Sequence, residues 1–355
     1  MARPSGDQAS ERAHTAPTRD DPRKPRELSE ISTQTWAYVL KKTGREFIAD
    51  RGHDLAAALT FYWVLAVFPG LLAFVSLVGL FGDPRRTTDG LIDLLGGVVA
   101  PATLDALRDP IAGLASSPNA GLAFAAGVAG ALWASSIYVN AFSRMMNQIY
   151  SIQEGRPIWK LRPVTLGVTV LAVLIALLAA LILTLSGSVA GQVGQVLGVG
   201  STARVVWNIV KWPILLFLAV VLIAVLYYAT PNVRQPRFRW MSLGALLALG
   251  VWALASGGLL IYAANFSSFT RAYGAIGAVI VALLWVWISN MALVFGAEFD
   301  AELERGRQLQ AGIKAEETIQ LPPRDTKTSD KAATKHAKDV AAGRRLREEA
   351  TGARQ

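Results

Sequence analysis

The chain has no cysteine among its 355 residues, which excludes disulfides, thiolate nucleophiles and cysteine-based zinc sites. Histidine is nearly as scarce. His14, His53 and His336 are the only three, and none lies inside an apolar run, so a metal centre of clustered imidazoles has no basis. Acidic residues are missing over a long tract. From Gly155 to Ala297 there is no Asp or Glu, which removes the paired carboxylates that acid–base or two-metal hydrolysis requires. The phosphate-cradling fingerprints G-x-x-x-x-G-K-[ST] and G-x-G-x-x-G are absent, so a nucleotide-driven pump is unsupported. The first 30 residues contain no apolar stretch that would serve as a cleavable signal peptide.

Apolar length is what the chain has in abundance. Hydrophobic residues make up 52% and charged residues only 17%, and the charges gather in tails and loops, the pattern of a polytopic membrane protein. After Asp54 no charge occurs until Asp83. A bilayer core of about 30 Å needs only ~20 helical residues, so this run is long enough to span with tilt or a kink, and Pro69 sits in its middle. Six spans are predicted, at about 55–82, 121–143, 164–188, 208–229, 240–264 and 273–297. The fold class is therefore all-α.

Short cytoplasmic loops carry excess Lys and Arg. Lys41, Lys42, Arg45 and Arg51 precede the first span, and Arg144, Arg156, Lys160 and Arg162 follow the second. Arg234, Arg237 and Arg239 follow the fourth, and Arg305, Arg307 and Lys314 follow the sixth. The opposite side has only Arg85, Arg86, Arg108, Arg204, Lys211 and Arg271. Both termini are thus expected in the cytoplasm, and this bias accounts for the net charge of +9 without a nucleic-acid partner.

Residues 1–30 mix both charge signs with Pro and Ser, which predicts a disordered tail. Residues 31–53 read as an amphipathic helix, either lying in the headgroup layer or packed on loops. The spans fill 54–297. Residues 298–355 start as a charged helix and are expected to become disordered, with 12 basic and 11 acidic residues. Glu298, Asp300, Glu302 and Glu304 alternate by two, which suits a solvated helix leaving the membrane better than a metal-binding face. The largest external loop, 83–120, is acidic and could dock a partner. Gly187 and Gly191 form a G-x-x-x-G spacing that permits close helix approach. Trp207 and Trp212 at one level, and Tyr227, Tyr228, Trp159 and Trp240 at the other, suit interfacial aromatic belts.

Several blocks carry a family resemblance. Asp54-Leu55-Ala56-Ala57-Ala58-Leu59-Thr60-Phe61-Tyr62 and Phe68-Pro69 lie in the first span, with Asn140 and Tyr150 around the second and Tyr228 and Pro231 after the fourth. Tyr273-Gly274-x-x-Gly277, Leu284-Trp285 and Gly296-Ala297-Glu298 lie in and after the last. Together they resemble the YihY/BrkB family of bacterial inner-membrane proteins, some of which bear the older label ribonuclease BN. The blocks cover about residues 35–310. Before the fifth span, where the family often has Pro-Gly-Ala, this chain reads Ser242-Leu243-Gly244-Ala245. The resemblance implies a six-helix protein of the plasma (inner) membrane, with transport or envelope and lipid homeostasis among its proposed roles.

Polar groups inside the spans are hydroxyls and amides. Thr60, Tyr62, Pro69, Asn140 and Asn290 are the candidates for a substrate path or helix kink. For the hydroxyls, interhelical hydrogen bonding, worth about 0.6 kcal/mol each in membranes, is the competing explanation. Asn140 and Asn290 must each face protein or water. The expected function is movement, or assistance to movement, of a lipid-like or amphiphilic molecule, with membrane lipid as partner and no cofactor or metal. The alternative is a non-transporting envelope protein, and a homo-oligomer or an envelope protein partner suits either. No enzymatic activity is expected, and the ribonuclease label ranks third.

Overall fold

The computed structural model describes residues 6–81, 120–184, 201–236, 243–265 and 267–352. Nine α-helices occur among them: α1 (Gly6–Thr15), α2 (Thr33–Ala49), α3 (Gly52–Phe81), α4 (Ala120–Ile149), α5 (Ile158–Thr184), α6 (Ser201–Ala229), α7 (Leu243–Asn265), α8 (Ser267–Gln310) and α9 (Lys327–Gly352). Apart from a single bridge between Val233 and Pro323, the described backbone contains no β-structure. Residues 83–119 of the predicted external loop and the Gly187–Gly191 spacing lie outside the described residues.

Five helices, α4 to α8, are long and apolar enough to cross a membrane, and α3 supplies a sixth apolar helix of 30 residues. The protein is an all-α polytopic membrane protein. The spans pack in chain order, α3 on α4, α5 between α4 and α6, α7 on α8, and α8 back against α3. Outward-facing residues such as Phe61, Trp133, Leu177, Phe217 and Leu254 are exposed, as lipid-facing positions must be when lipid replaces the core as apolar solvent.

Small residues set the tight crossings. A Cβ on Gly130 would lie 3.2 Å from the Pro69 ring, so the proline of α3 fits against a glycine of α4. Across the α7–α8 seam, Trp252 donates to Ser289 Oγ at 3.0 Å, and Trp285 donates to Ser256 Oγ at 3.1 Å. The two bonds are reciprocal, as an antiparallel register produces, and they satisfy two indoles that would otherwise be bare in lipid.

α8 is the frame of the molecule. Its 44 residues extend about 66 Å at 1.5 Å per residue, roughly twice the hydrocarbon thickness. The overhang is a post on which both chain ends assemble. Ser32 caps α2 by accepting from the Thr35 amide at 3.1 Å, and Arg51, at φ 55°, turns the chain into α3. α2 then lies along the overhang. Trp36 stacks on Phe299, Phe47 meets Phe295 edge-on, and Val39 is fully buried. One side of this helix packs on α8, and Leu40 and Ile48 are left exposed on the far side.

Two expectations are corrected at this end. Residues 6–30 are not a loose tail. Arg12 is buried and donates to the carbonyls of Tyr150, Ile319 and Ser151, while Lys24 is buried against Glu304 at 2.8 Å. Nor is order lost over residues 311–352. Residues 313–326 run across the ends of α4 and α6, where Asn232, fully buried, donates to the carbonyls of Gln153 and Asp325. A Cβ on Gly155 would lie 1.8 Å from the Asp325 carbonyl oxygen, so only glycine admits this strand-like crossing. The exposed helix α9 follows. Composition suggested disorder because few apolar residues are present, but buried charges with designated partners supply the anchoring instead.

Candidate functional site

Two polar clusters lie at different depths. The first joins three spans. Asn290 on α8 is 3% exposed and donates to Thr60 Oγ1 on α3 at 3.1 Å and to the Val286 carbonyl at 3.1 Å. Its Oδ1 accepts from the Tyr138 hydroxyl on α4 at 2.8 Å, and Thr60 donates on to the Ala56 carbonyl. Asn290 and Thr60 are therefore brought together, and their polar groups are consumed in holding α3, α4 and α8. Tyr138 was not singled out in the sequence, since one tyrosine among many apolar residues carries no local signal.

The other candidates are not part of that cluster. Tyr62 is half-buried beneath the Arg144 guanidinium, 5.9 Å from its ring centre. Asn140 is half-buried and makes no side-chain hydrogen bond among the described residues. It lies two positions from Tyr138, so it faces away from the α3–α4–α8 seam.

The second cluster sits where α2 turns into α3 beside the α8 overhang. Glu298 is 1% exposed and faces Asp50, with Glu46 close by. Its Oε1 has no hydrogen-bond partner among the described residues. Burial pushes the Asp50 carboxyl up to about 6, and the charge of Glu46 adds to the push. Two touching carboxyls in a dry site share protons, because both cannot ionise without strong repulsion. Glu302, equally buried, is held by both oxygens on Arg305 Nε at 3.0 and 2.9 Å.

The four alternating acids are thus not a solvated face. At 100° per residue, Glu298 and Glu302 share one side of α8, and Asp300 and Glu304 share the other. The first pair faces α2. On the second side Asp300 accepts from the Gly244 amide at the start of α7 at 2.7 Å, and Glu304 holds Lys24. Among the described residues no three His, Cys, Asp or Glu side chains converge as a metal site would need. Tyr227, expected in an interfacial belt, is instead buried. It stacks on Phe142 and donates to the Leu293 carbonyl at 2.6 Å.

Residues 43–319 match the family described as Virulence factor BrkB. The chain belongs to the BrkB family. The ribonuclease-like protein YfkH of Bacillus subtilis is 26% identical over 273 residues, covering 76% of this chain and 96% of its own. A UPF0761 membrane protein of Alkalilimnicola ehrlichii is 27% identical over 259 residues, 70% of this chain and 54% of its own. Another, from Histophilus somni, is 24% identical over 273 residues, 75% and 90% of the two chains. The chain thus spans nearly all of YfkH but about half of the Alkalilimnicola protein. No solved structure matches it. As a BrkB-family protein with several membrane-crossing helices, it is a multi-pass protein of the bacterial inner membrane.

The BrkB-type blocks map onto contacts. Leu59 is buried in the core shared by α3 and α4, and Glu298 forms the carboxyl pair. Gly277 is buried, and Gly296 meets Gly244 and the Tyr227 hydroxyl. Ala58 and Phe61 face outward. The side chains of Phe68 and Tyr273, and the surroundings of Gly274, lie outside what the structure describes.

Proposed function

We propose that this protein moves, or assists the movement of, an amphiphilic, lipid-like molecule in the inner membrane. Asn140 is the observation that carries the reading. An amide left without a protein partner in hydrocarbon costs several kcal/mol on the order of its transfer penalty, so such a group must meet water or a polar ligand. Asn290, by contrast, is saturated by its neighbours. The spans hold no carboxylate at all between Gly155 and Ala297, which disfavours a proton or cation relay and suits a neutral or amphiphilic cargo needing a polar groove.

Extraction in native lipid followed by mass spectrometry of copurifying molecules tests this. A lipid species enriched over the bulk membrane, and lost in Asn140→Leu, is the expected result. Bulk lipid composition in both samples would contradict it.

The second reading is an interaction role in the envelope without transport, favoured by α9, whose 26 residues are exposed along nearly their whole length. The name of the Bacillus relative raises a third, nuclease activity. It has less support, because the buried acids Glu302 and Glu304 and the half-buried Asp300 are each bound to Arg305, Lys24 or the Gly244 amide.

A further inference from the structure

A cavity of about 690 Å³ opens at the end of α6, between the docked N-terminal segment and the C-terminal crossing. Arg19, Arg234 and Arg324 line it, together with Thr18, Tyr228 and Gln235, and no lining residue is acidic. We propose that this cavity binds a phosphate-bearing anion, either the headgroup of an anionic phospholipid or a free phosphate compound. The site is independent of any lipid movement by the spans.

The arginines are arranged for such a ligand. Arg324 donates to the carbonyls of Val233 and Tyr228 and lies over the Tyr228 ring, 5.6 Å from its centre. These contacts hold the guanidinium in one place without neutralising it, since carbonyls carry no net charge. Burial first, then the neighbouring Arg156 and Arg19, disfavour its cationic form, and Tyr228 and Glu154 oppose them only in part. Arg156 is itself held by Glu154, so the local negative charge is committed a shell away. Arg234 is exposed, and its guanidinium has no partner among the described residues. Arg19 has a half-exposed contact with Asp20 at 3.3 Å, which water and salt weaken.

Three cations line the cavity with no acidic residue in its wall. The half-exposed Asp20 beside Arg19 and the more distant Glu154 offset their repulsion only in part, and a bound anion offsets the rest. Guanidinium forks match phosphate oxygens in pairs, which gives geometry as well as charge. The size falls within the range of small-ligand pockets, about 300–1,000 Å³. Position favours the same chemistry. Tyr228 closes the apolar helix α6, so the cavity lies at the level where headgroups meet protein, and basic pockets at that level take anionic headgroups.

The test uses the full-length protein in nanodiscs and in detergent. One arm counts retained phosphatidylglycerol against phosphatidylcholine by native mass spectrometry. The other measures inorganic phosphate binding by calorimetry. Saturable binding is expected in at least one arm, weakened at least about tenfold in the R19Q/R234Q double variant and detectably in R234Q alone, the size of one or two lost charge-assisted bonds. R344Q, on the distant exposed α9, is expected to bind as the unaltered protein does. Loss in the lipid arm alone assigns the headgroup, and loss in the phosphate arm assigns the free compound. R234Q removes an exposed side chain, so it keeps the test decisive should the double variant misfold. Absence of saturable binding in both arms, equal binding by R234Q, or an equal loss in R344Q would overturn the proposal.

Discussion

Gly244 and Gly296 cross so closely that a Cβ on either would lie 2.2 or 2.3 Å from the other's carbonyl oxygen. Backbone meets backbone where α7 starts beside α8, and Asp300, one turn beyond Gly296, accepts from the Gly244 amide. One contact therefore fixes the crossing and satisfies an otherwise orphaned helix N-terminus.

Substituting either glycine is expected to pry the helices apart. Gly296→Ala or Gly244→Ala should cost about 1–3 kcal/mol or more, the range for overpacking, read as a lower melting temperature in detergent. Gly250→Ala, with open space around its Cβ position, should be neutral or slightly stabilising because alanine favours helix. Equal effects at positions 250 and 296 would contradict the crossing.

Gly155 governs the C-terminal crossing in the same way. With the Asp325 carbonyl 1.8 Å from the position of its absent Cβ, Gly155→Ala should release residues 313–326 from the bundle. Limited proteolysis should then cut between α8 and α9 much faster than in the parent. An unchanged digestion pattern would argue that this segment is held elsewhere.

The Asp50 carboxyl makes stability depend on pH. Its folded value is raised from 3.8 to about 6, so between those values the folded protein binds more protons than the unfolded chain. The stability it contributes is present below the unfolded value and is lost as pH rises through the folded one. Asp50→Asn removes that loss. Its gain over the parent should be nearly absent near pH 4, grow as pH rises through about 6, and level off above that. A gain independent of pH would sink this assignment.

Orientation is a separate claim, resting on the Lys and Arg bias of the loops. Reporter fusions at positions 155, 235 and 320 should report the cytoplasm, and fusions at 100, 195 and 268 the outside. A reversed report at any of them would break the six-span arrangement. That the segments around Arg12–Lys24 and Glu304–Ile319 share one end of the bundle follows from the contacts of Arg12 with Ile319 and of Lys24 with Glu304.

The spans were legible because bilayer thickness imposes a length that charge-free runs reveal directly. Thr60 and Asn290 were legible as polar atoms in apolar stretches, although their mutual bond was not, since they stand 230 residues apart. The ordered ends were missed for a physical reason. Disorder is inferred from scarce apolar residues, whereas Arg12, Lys24, Asn232 and Arg324 anchor the ends through hydrogen bonds to partners far along the chain. The spacing of Glu298, Asp300, Glu302 and Glu304 held the missing signal. An i,i+4 pairing on two opposite sides of one helix marks a post buried from both sides as readily as a solvated one.

Movement of an amphiphile is tested most directly in sealed vesicles of phosphatidylethanolamine and phosphatidylglycerol containing the purified protein. A fluorescent phospholipid analogue is placed in both leaflets, and a membrane-impermeant quencher is added outside. Faster loss of the protected fraction than in protein-free vesicles, slowed by Asn140→Leu at unchanged melting temperature, is the predicted result. Protein-containing and empty vesicles that lose fluorescence at the same rate, with this and a panel of other amphiphiles, would contradict it.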